Sequence, residues 1–149
     1  VGFIDEPGGV PEDDRLRARA RQLAPLVGVD QMDTWIVQFR EALEQPQIRE
    51  TLAREGAQEL WQERAFALRA DGQLLQGRFD RVTIWNDRAV LVDFKTDAAG
   101  PVTADHYRPQ VDSYRRALCS LLQLPVEAIE ARLIFVATGD VLNMSPSTE

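Results

Sequence analysis

The chain has 149 residues, of which 44% are apolar and 28% charged, so it is long enough for one globular domain with a sizeable core. Its formal net charge of −7 argues against tight autonomous binding of nucleic acid, which needs a basic surface. It still allows a site that acts on nucleic acid delivered by another part of a larger machine. One cysteine, Cys119, excludes an internal disulfide framework and any four-cysteine zinc or iron–sulfur site, and it suits a reducing, cytoplasmic location. No apolar run approaches the roughly 20 residues that a membrane-spanning helix needs, so no membrane partner is expected.

Residues 1–55 are predicted to form a helical segment of the same domain as the remainder, residues 56–149. Three helices are expected within this segment, over residues 12–24, 34–44 and 47–54. Asp33 is a plausible N-cap for the second of them. The arginines between Arg15 and Arg21 in the first helix could face a phosphate. A solvated helix face, balanced by nearby acids, is the favoured interpretation.

Five strands and one long helix are predicted in the remainder, in the order β-β-β-α-β-β. The strands are expected over residues 60–69, 73–85, Ala89–Lys95, 131–137 and 141–144. Asp71-Gly72 is predicted to form a hairpin turn between the first two strands. The helix is expected to begin between Thr103 and Pro109 and to end at Leu122. This order predicts a mixed α/β (α+β) domain, with a central mixed β-sheet flanked by helices.

Two aspartates and a lysine interrupt otherwise apolar strands. Asp93 and Lys95 lie two residues apart on the strand Ala89–Lys95, so their side chains point to the same face. Asp80 lies on the preceding strand, and both carboxylates could approach one point at an edge of the sheet. Two neighbouring carboxylates repel each other unless a proton or a metal lies between them, and oxygen ligands suit Mg²⁺ or Mn²⁺. With Lys95 beside them to contact a phosphate or an attacking water, the set predicts metal-assisted phosphodiester hydrolysis.

The order of these residues resembles the D…(D/E)-x-K signature of the PD-(D/E)XK nuclease superfamily. The surroundings are similar to its RecB-like branch, which includes the C-terminal nuclease domains of AddA- and RecB-type helicase–nucleases. The matching segments, in chain order, are Glu63, Gly77-Arg78-Phe79-Asp80-Arg81-Val82, Val92-Asp93-Phe94-Lys95-Thr96-Asp97 and Tyr107-Arg108-Pro109-Gln110-Val111-Asp112-Ser113-Tyr114. The D-x-K element alone is a weak signal, whereas the ordered set between Glu63 and Leu118 is a strong one.

The resemblance implies a restriction-endonuclease-like core and a Mg²⁺-dependent (or Mn²⁺-dependent) DNA exonuclease. It further implies that the chain is the nuclease domain of a larger helicase–nuclease, which acts in double-strand-break repair and recombination. The partners would be DNA, a helicase part of the same polypeptide and a second subunit. The start at Val1 rather than Met is consistent with a piece cut from something longer.

The resemblance also assigns roles to individual residues. Asp80, Asp93 and the carbonyl oxygen of Phe94 would be metal ligands, and Asp80, Asp93 and Lys95 would be catalytic. Two residues one helical turn apart, Gln110 and Tyr114, would lie over the site and hold the lysine or the DNA backbone. Glu63 resembles a glutamate of the family and would have a supporting role.

One feature departs from the family pattern, which usually includes a histidine metal ligand on an upstream helix. Residues 1–62 contain no histidine, and His106 is expected at the surface. A catalytically impaired nuclease-fold scaffold or DNA-path module is therefore an alternative function. A free-standing endonuclease of the restriction type is a third, which the acidic balance disfavours.

The charged residues also have purely structural interpretations. Asp80 could pair with Arg78 or Arg81, and Asp93 could pair with Lys95. Such buried pairs are a poor source of stability, and the ordered set favours function over pairing alone.

Overall fold

The computed structural model describes residues 13–23, 26, 28–96 and 103–147. The irregular lead-in and the loop that the sequence predicts at residues 1–11 and 97–101 lie outside these ranges. The elements, in chain order, are α1 (Asp13–Leu23), α2 (Val29–Glu44), α3 (Pro46–Leu52), β1 (Glu59–Ala70), β2 (Gln73–Ile84), β3 (Ala89–Lys95), α4 (Thr103–Leu122), a 3₁₀ turn (Val126–Ala128), β4 (Ile129–Phe135) and β5 (Asp140–Asn143). Among the described helices, none combines the length and the apolar character that crossing a membrane requires.

The five strands form one sheet in the order β1-β2-β3-β4-β5. Neighbouring strands are antiparallel except for β3 and β4, which are parallel and are connected through α4. A parallel pair needs a crossover connection, and α4 provides it across one face of the sheet. The predicted mixed sheet flanked by helices is therefore confirmed, with β3 in its centre.

Two apolar clusters lie on opposite faces of β3, as the alternation of its side chains requires. Leu91 belongs to the larger cluster, which lies between the sheet and α4 and includes Leu118. Val92 belongs to the smaller cluster, to which α3 contributes Ile48. Both faces of β3 are thus covered, and residues on the face of Leu91 are directed toward α4.

The second helix begins earlier than the sequence predicted. Its N-cap is Gly28, and Asp33 lies inside α2, so the prediction of Asp33 as N-cap is wrong. Buried Met32 extends the apolar face of α2 by one turn, which favours the earlier start. Asp33 instead accepts a 2.7 Å hydrogen bond from Nε of Arg17 on α1, so at Arg17 the arginine series is balanced by acids as expected.

Candidate active site

The site forms where β2 separates from β3. Their pairing runs from Ile84 opposite Ala89 to Arg81 opposite Val92, and it ends one position before Asp80 would face Asp93. Beyond that point, Oδ2 of Asp80 accepts a 2.9 Å hydrogen bond from the backbone N–H of Phe94. A side chain on β2 therefore satisfies a strand N–H in the place of a backbone carbonyl, which fixes its carboxylate beside that of Asp93.

The two carboxylates perturb each other. The pKa of Asp80 is raised to about 6, chiefly by burial and also by the nearby Asp93, while the N–H of Phe94 and the charge of Lys95 act in the opposite direction. Asp93 is 7% exposed, and its Oδ2 is buried without a hydrogen bond, in ion-pair contact with the ammonium of Lys95. The pair is thus a concentration of negative charge that the single ammonium of Lys95 offsets only in part, an arrangement that favours a cation.

The ammonium of Lys95 is held from three sides. Besides its ion pair with Asp93, it donates a 3.0 Å hydrogen bond to Oε1 of Gln110 and lies 4.2 Å from the centre of the Tyr107 ring. Only 14% of the Lys95 side chain is exposed. Because α4 supplies both Gln110 and Tyr107, this helix positions the lysine beside the carboxylates. Sequence reasoning assigned no role to Tyr107, since a ring contact with a cation depends on tertiary geometry.

Tyr114 connects this arrangement to the sheet. Its hydroxyl accepts a 3.4 Å hydrogen bond from Nε2 of Gln110, and its ring packs edge-on against Phe66 and Phe79. The ring also lies against Gly77, where a Cβ would approach Tyr114 Cε1 to 2.8 Å. The glycine of the family-like segment therefore allows α4 to approach β2 closely enough for Gln110 to reach Lys95.

Glu63 lies on β1, outside the carboxylate pair. Its side chain is exposed, and among the described residues no third Asp, Glu, His or Cys joins the pair in a group that could hold a metal. Its backbone is distinctive, because its φ of 46° is in the left-handed region that a non-glycine residue rarely adopts within a strand. The strand changes faces here: Trp61 and Phe66, five residues apart, both stack on Phe79.

The neighbours of Asp80 on β2 show the same change of faces. Phe79 and Val82 both belong to the larger cluster, although strict alternation would place them on opposite faces. Fully buried Arg81 donates hydrogen bonds to Thr83 and to the carbonyl of Leu52. The sequence signal that could have located this irregularity is the odd spacing of apolar residues around Glu63 and Asp80.

The donor set fits a hard divalent cation. Asp80 and Asp93 provide two carboxylates at one point, with the ammonium of Lys95 as the ion-pair partner of Asp93. Mg²⁺ is commonly bound by one or two carboxylates together with water and substrate phosphates, so a site without further protein carboxylates still suits it. The carbonyl of Phe94, between Asp93 and Lys95, is the predicted third protein ligand.

A comparison with protein families decides the relationship of the chain. Residues 4–146 match the profile of the PD-(D/E)XK nuclease superfamily. The chain belongs to this superfamily. Seventy residues are 41% identical to a subunit of an ATP-dependent helicase/nuclease from Desulforudis audaxviator (strain MP104C), a match that covers 44% of this chain and 6% of that protein. The chain thus spans a small part of the length of this curated relative.

A solved structure that aligns with the chain is more distant. The crystal structure of a protein named SSO0001 aligns over 89% of this chain and 62% of its own, with 13% sequence identity and a TM-score of 0.33. His106 is exposed, as expected, and its ring contacts that of Tyr107.

Proposed function

We propose that this member of the PD-(D/E)XK superfamily is a Mg²⁺-dependent DNA exonuclease domain. The observation that carries the proposal is the contact set of Lys95, which joins the Asp80–Asp93 pair to Gln110 on α4. Carboxylates and a fixed ammonium are the groups that phosphodiester hydrolysis requires, and family membership supports their use for it.

In this proposal each side chain has a separate task. Asp80 and Asp93, with the Phe94 carbonyl, hold the metal, which supplies Lewis acidity toward water and toward the phosphate. Lys95 places a positive charge beside the scissile phosphate, where negative charge develops during hydrolysis. Gln110 keeps the lysine in place, since its Oε1 accepts a hydrogen bond from the ammonium. Preorganisation of this kind removes the need to order a long, flexible side chain during the reaction.

The domain would work within a larger helicase–nuclease. The similarity to a helicase/nuclease component supports this context, although it covers 6% of that protein. We therefore propose a helicase part in the same polypeptide and a second subunit, with a role in double-strand-break repair and recombination. The net charge of −7 agrees with a nuclease to which DNA is delivered rather than one that captures it alone.

Cleavage assays with matched DNA substrates test the proposal. Linear duplex and covalently closed circular DNA are incubated with the chain and Mg²⁺, and we expect the linear form to be degraded and the circular form to persist. Lys95→Ala and Asp93→Asn are expected to abolish degradation while circular dichroism shows an intact fold, whereas Asp87→Asn, in the exposed β2–β3 turn, is the control. Retained degradation by Lys95→Ala would refute the assigned mechanism, and equal attack on circular DNA would refute exonuclease action.

A catalytically impaired scaffold or DNA-path module is the alternative, and one observation favours it. The described residues offer no third Asp, Glu, His or Cys beside the carboxylate pair. Calorimetric titration with Mn²⁺ separates the two functions, because a nuclease must bind the ion. Binding that Asp80→Asn abolishes supports the nuclease; no binding at millimolar Mn²⁺ supports the scaffold.

A further inference from the structure

The outer half of the β1–β2 hairpin exposes one face that no other described element covers. We call this the hairpin face. It consists of alternate residues paired across the two strands: Ala65 with Arg78, Ala67 with Gln76, and Arg69 with Leu74. All six side chains are exposed, Leu74 by 59%, whereas the opposite face of the hairpin packs under α4 through Phe66 and Leu75.

Two arginines of the hairpin face are unengaged. Among the arginines whose side chains are described, only Arg21, Arg69 and Arg78 make no hydrogen bond, ion pair or ring contact. The face itself carries no acidic residue. Of the nearest acids along the hairpin, Asp71 is paired with Arg116 of α4, and Glu63 lies at the inner end of the face. The hairpin face is therefore a local excess of positive charge on a chain whose net charge is −7.

The inner end of the hairpin face lies near Asp80 along β2. Arg78 precedes Asp80 by two residues on β2, which corresponds to about 7 Å along the strand, and Leu74, opposite Arg69, lies about 13 Å farther out. Because β2 stops pairing with β3 at Arg81, the hairpin diverges from the rest of the sheet beside the site. A chain-like anion lying along the face would run from the hairpin tip toward the point where β2 separates from β3, on the side of the sheet opposite to α4.

We propose that the hairpin face binds the phosphate backbone of DNA through Arg69 and Arg78, as a second DNA contact on the side of the hairpin opposite to α4. The proposal rests on the nuclease function and adds to it a second surface that contacts the substrate. Guanidinium groups bind phosphate oxygens through paired hydrogen bonds, and unpaired ones need not break an internal contact to do so. The negative charge elsewhere on the chain confines a polyanion to such a local positive surface.

Charge reversal in the full 149-residue chain tests the proposal. Binding of a short fluorescein-labelled DNA duplex with single-stranded ends is measured by anisotropy in EDTA, so that no cleavage occurs. We expect the double variant Arg69→Glu/Arg78→Glu to weaken binding about tenfold at low salt and to flatten the dependence of log K on log salt by about 1.8. Arg21→Glu, the same change at an unengaged arginine of α1, is the matched control, with an expected change below about twofold. Arg69→Lys/Arg78→Lys keeps the charge and should retain most of the affinity.

Several results would overturn the proposal. They are equal DNA affinity of the double variant and of Arg21→Glu, an unchanged salt slope, and no DNA binding by the unmodified chain. A changed molecular mass in solution with unchanged DNA affinity would assign the hairpin face to protein contacts instead. Failure of the nuclease function is distinguishable, because binding in EDTA does not require cleavage. If the unmodified chain never cleaves DNA but the double variant loses DNA binding, the DNA-binding role of the hairpin face stands and the proposed nuclease activity is refuted.

Discussion

Replacing Asp80 with asparagine should stabilise the metal-free protein while removing its response to metal. Asparagine keeps the shape of the side chain, and its amide oxygen can still accept the N–H of Phe94. It removes the negative charge that faces Asp93, and its NH₂ group can donate to that carboxylate. The substitution therefore relieves a repulsion that the wild-type protein retains in the absence of a cation.

The size of the effect follows from the ionisation of Asp80. Its pKa rises from 3.8 to about 6 on folding, chiefly through burial. A shift of that size corresponds to about 3 kcal/mol in a fully desolvated site, and we take about 1 kcal/mol for a half-buried carboxyl screened by solvent. Because the folded-state pKa lies above the unfolded one, the cost is small below the unfolded pKa and is fully present above about pH 6. Asp80→Asn should thus raise Tm by about 2–4 °C near neutral pH, and by about a third of that near pH 4.5.

Scanning calorimetry in EDTA and in Mg²⁺ tests this expectation. A metal at about 100 times its Kd adds about 2.7 kcal/mol to the wild type, which exceeds the gain of the variant, so the order of the two Tm values should reverse. Asp87→Asn is the control for loss of a surface carboxylate, and it should leave Tm unchanged both in EDTA and in Mg²⁺. A lower Tm for Asp80→Asn in EDTA, a gain that does not depend on pH, or equal stabilisation of both proteins by Mg²⁺ would refute the reasoning.

Variants at three further positions test individual contacts of the site. Tyr107→Leu should lower the kcat of DNA cleavage about threefold to tenfold relative to Tyr107→Phe, with KM unchanged, because the ring lies against the ammonium of Lys95; equal kcat values in the two variants would contradict that role. Gly77→Ala should lower the free energy of unfolding in urea by about 1–3 kcal/mol, because its Cβ would clash with Tyr114, and unchanged stability would contradict the close approach. Because Glu63 has a positive φ, Glu63→Gly should raise the free energy of unfolding by about 1 kcal/mol, and Glu63→Val should lower it. The glycine variant should keep Mn²⁺ binding. Loss of Mn²⁺ binding in that variant would instead assign the Glu63 carboxylate to the metal.

Local rules predicted much of the fold. The apolar run of β3 and its boundaries were predicted as found, because period-two alternation and a central position act through neighbouring residues alone. The same rule put Asp93 and Lys95 on one face, and the structure joins them in an ion pair. The predicted start of α2 was wrong because Asp33 suits a capping position by residue type, whereas burial of Met32 favours a longer helix.

Contacts between different helices and strands were harder to predict from the sequence. The resemblance placed Gln110 and Tyr114 over the site, but no local pattern could show that Tyr107 lies against the lysine or that Gly77 admits the ring of Tyr114. These contacts depend on the distance between α4 and the sheet, which is set by packing of the whole core. The domain boundary at residue 55 remains a prediction, and the individual site assignments are predictions that the proposed variants can test.

The irregular features of the chain meet at one point, and their coincidence is informative. Glu63 has left-handed backbone geometry within β1, Asp80 leaves the β2–β3 ladder to bind the N–H of Phe94, and Asp93 forms a buried ion pair with Lys95. Each feature alone would destabilise the sheet, and none is needed to close its core, which lies on either side of them. A sheet that only had to be stable would continue its pairing through Asp80. Departures from regular structure that cluster around two carboxylates and a lysine are expected where function, rather than stability, determines the residues.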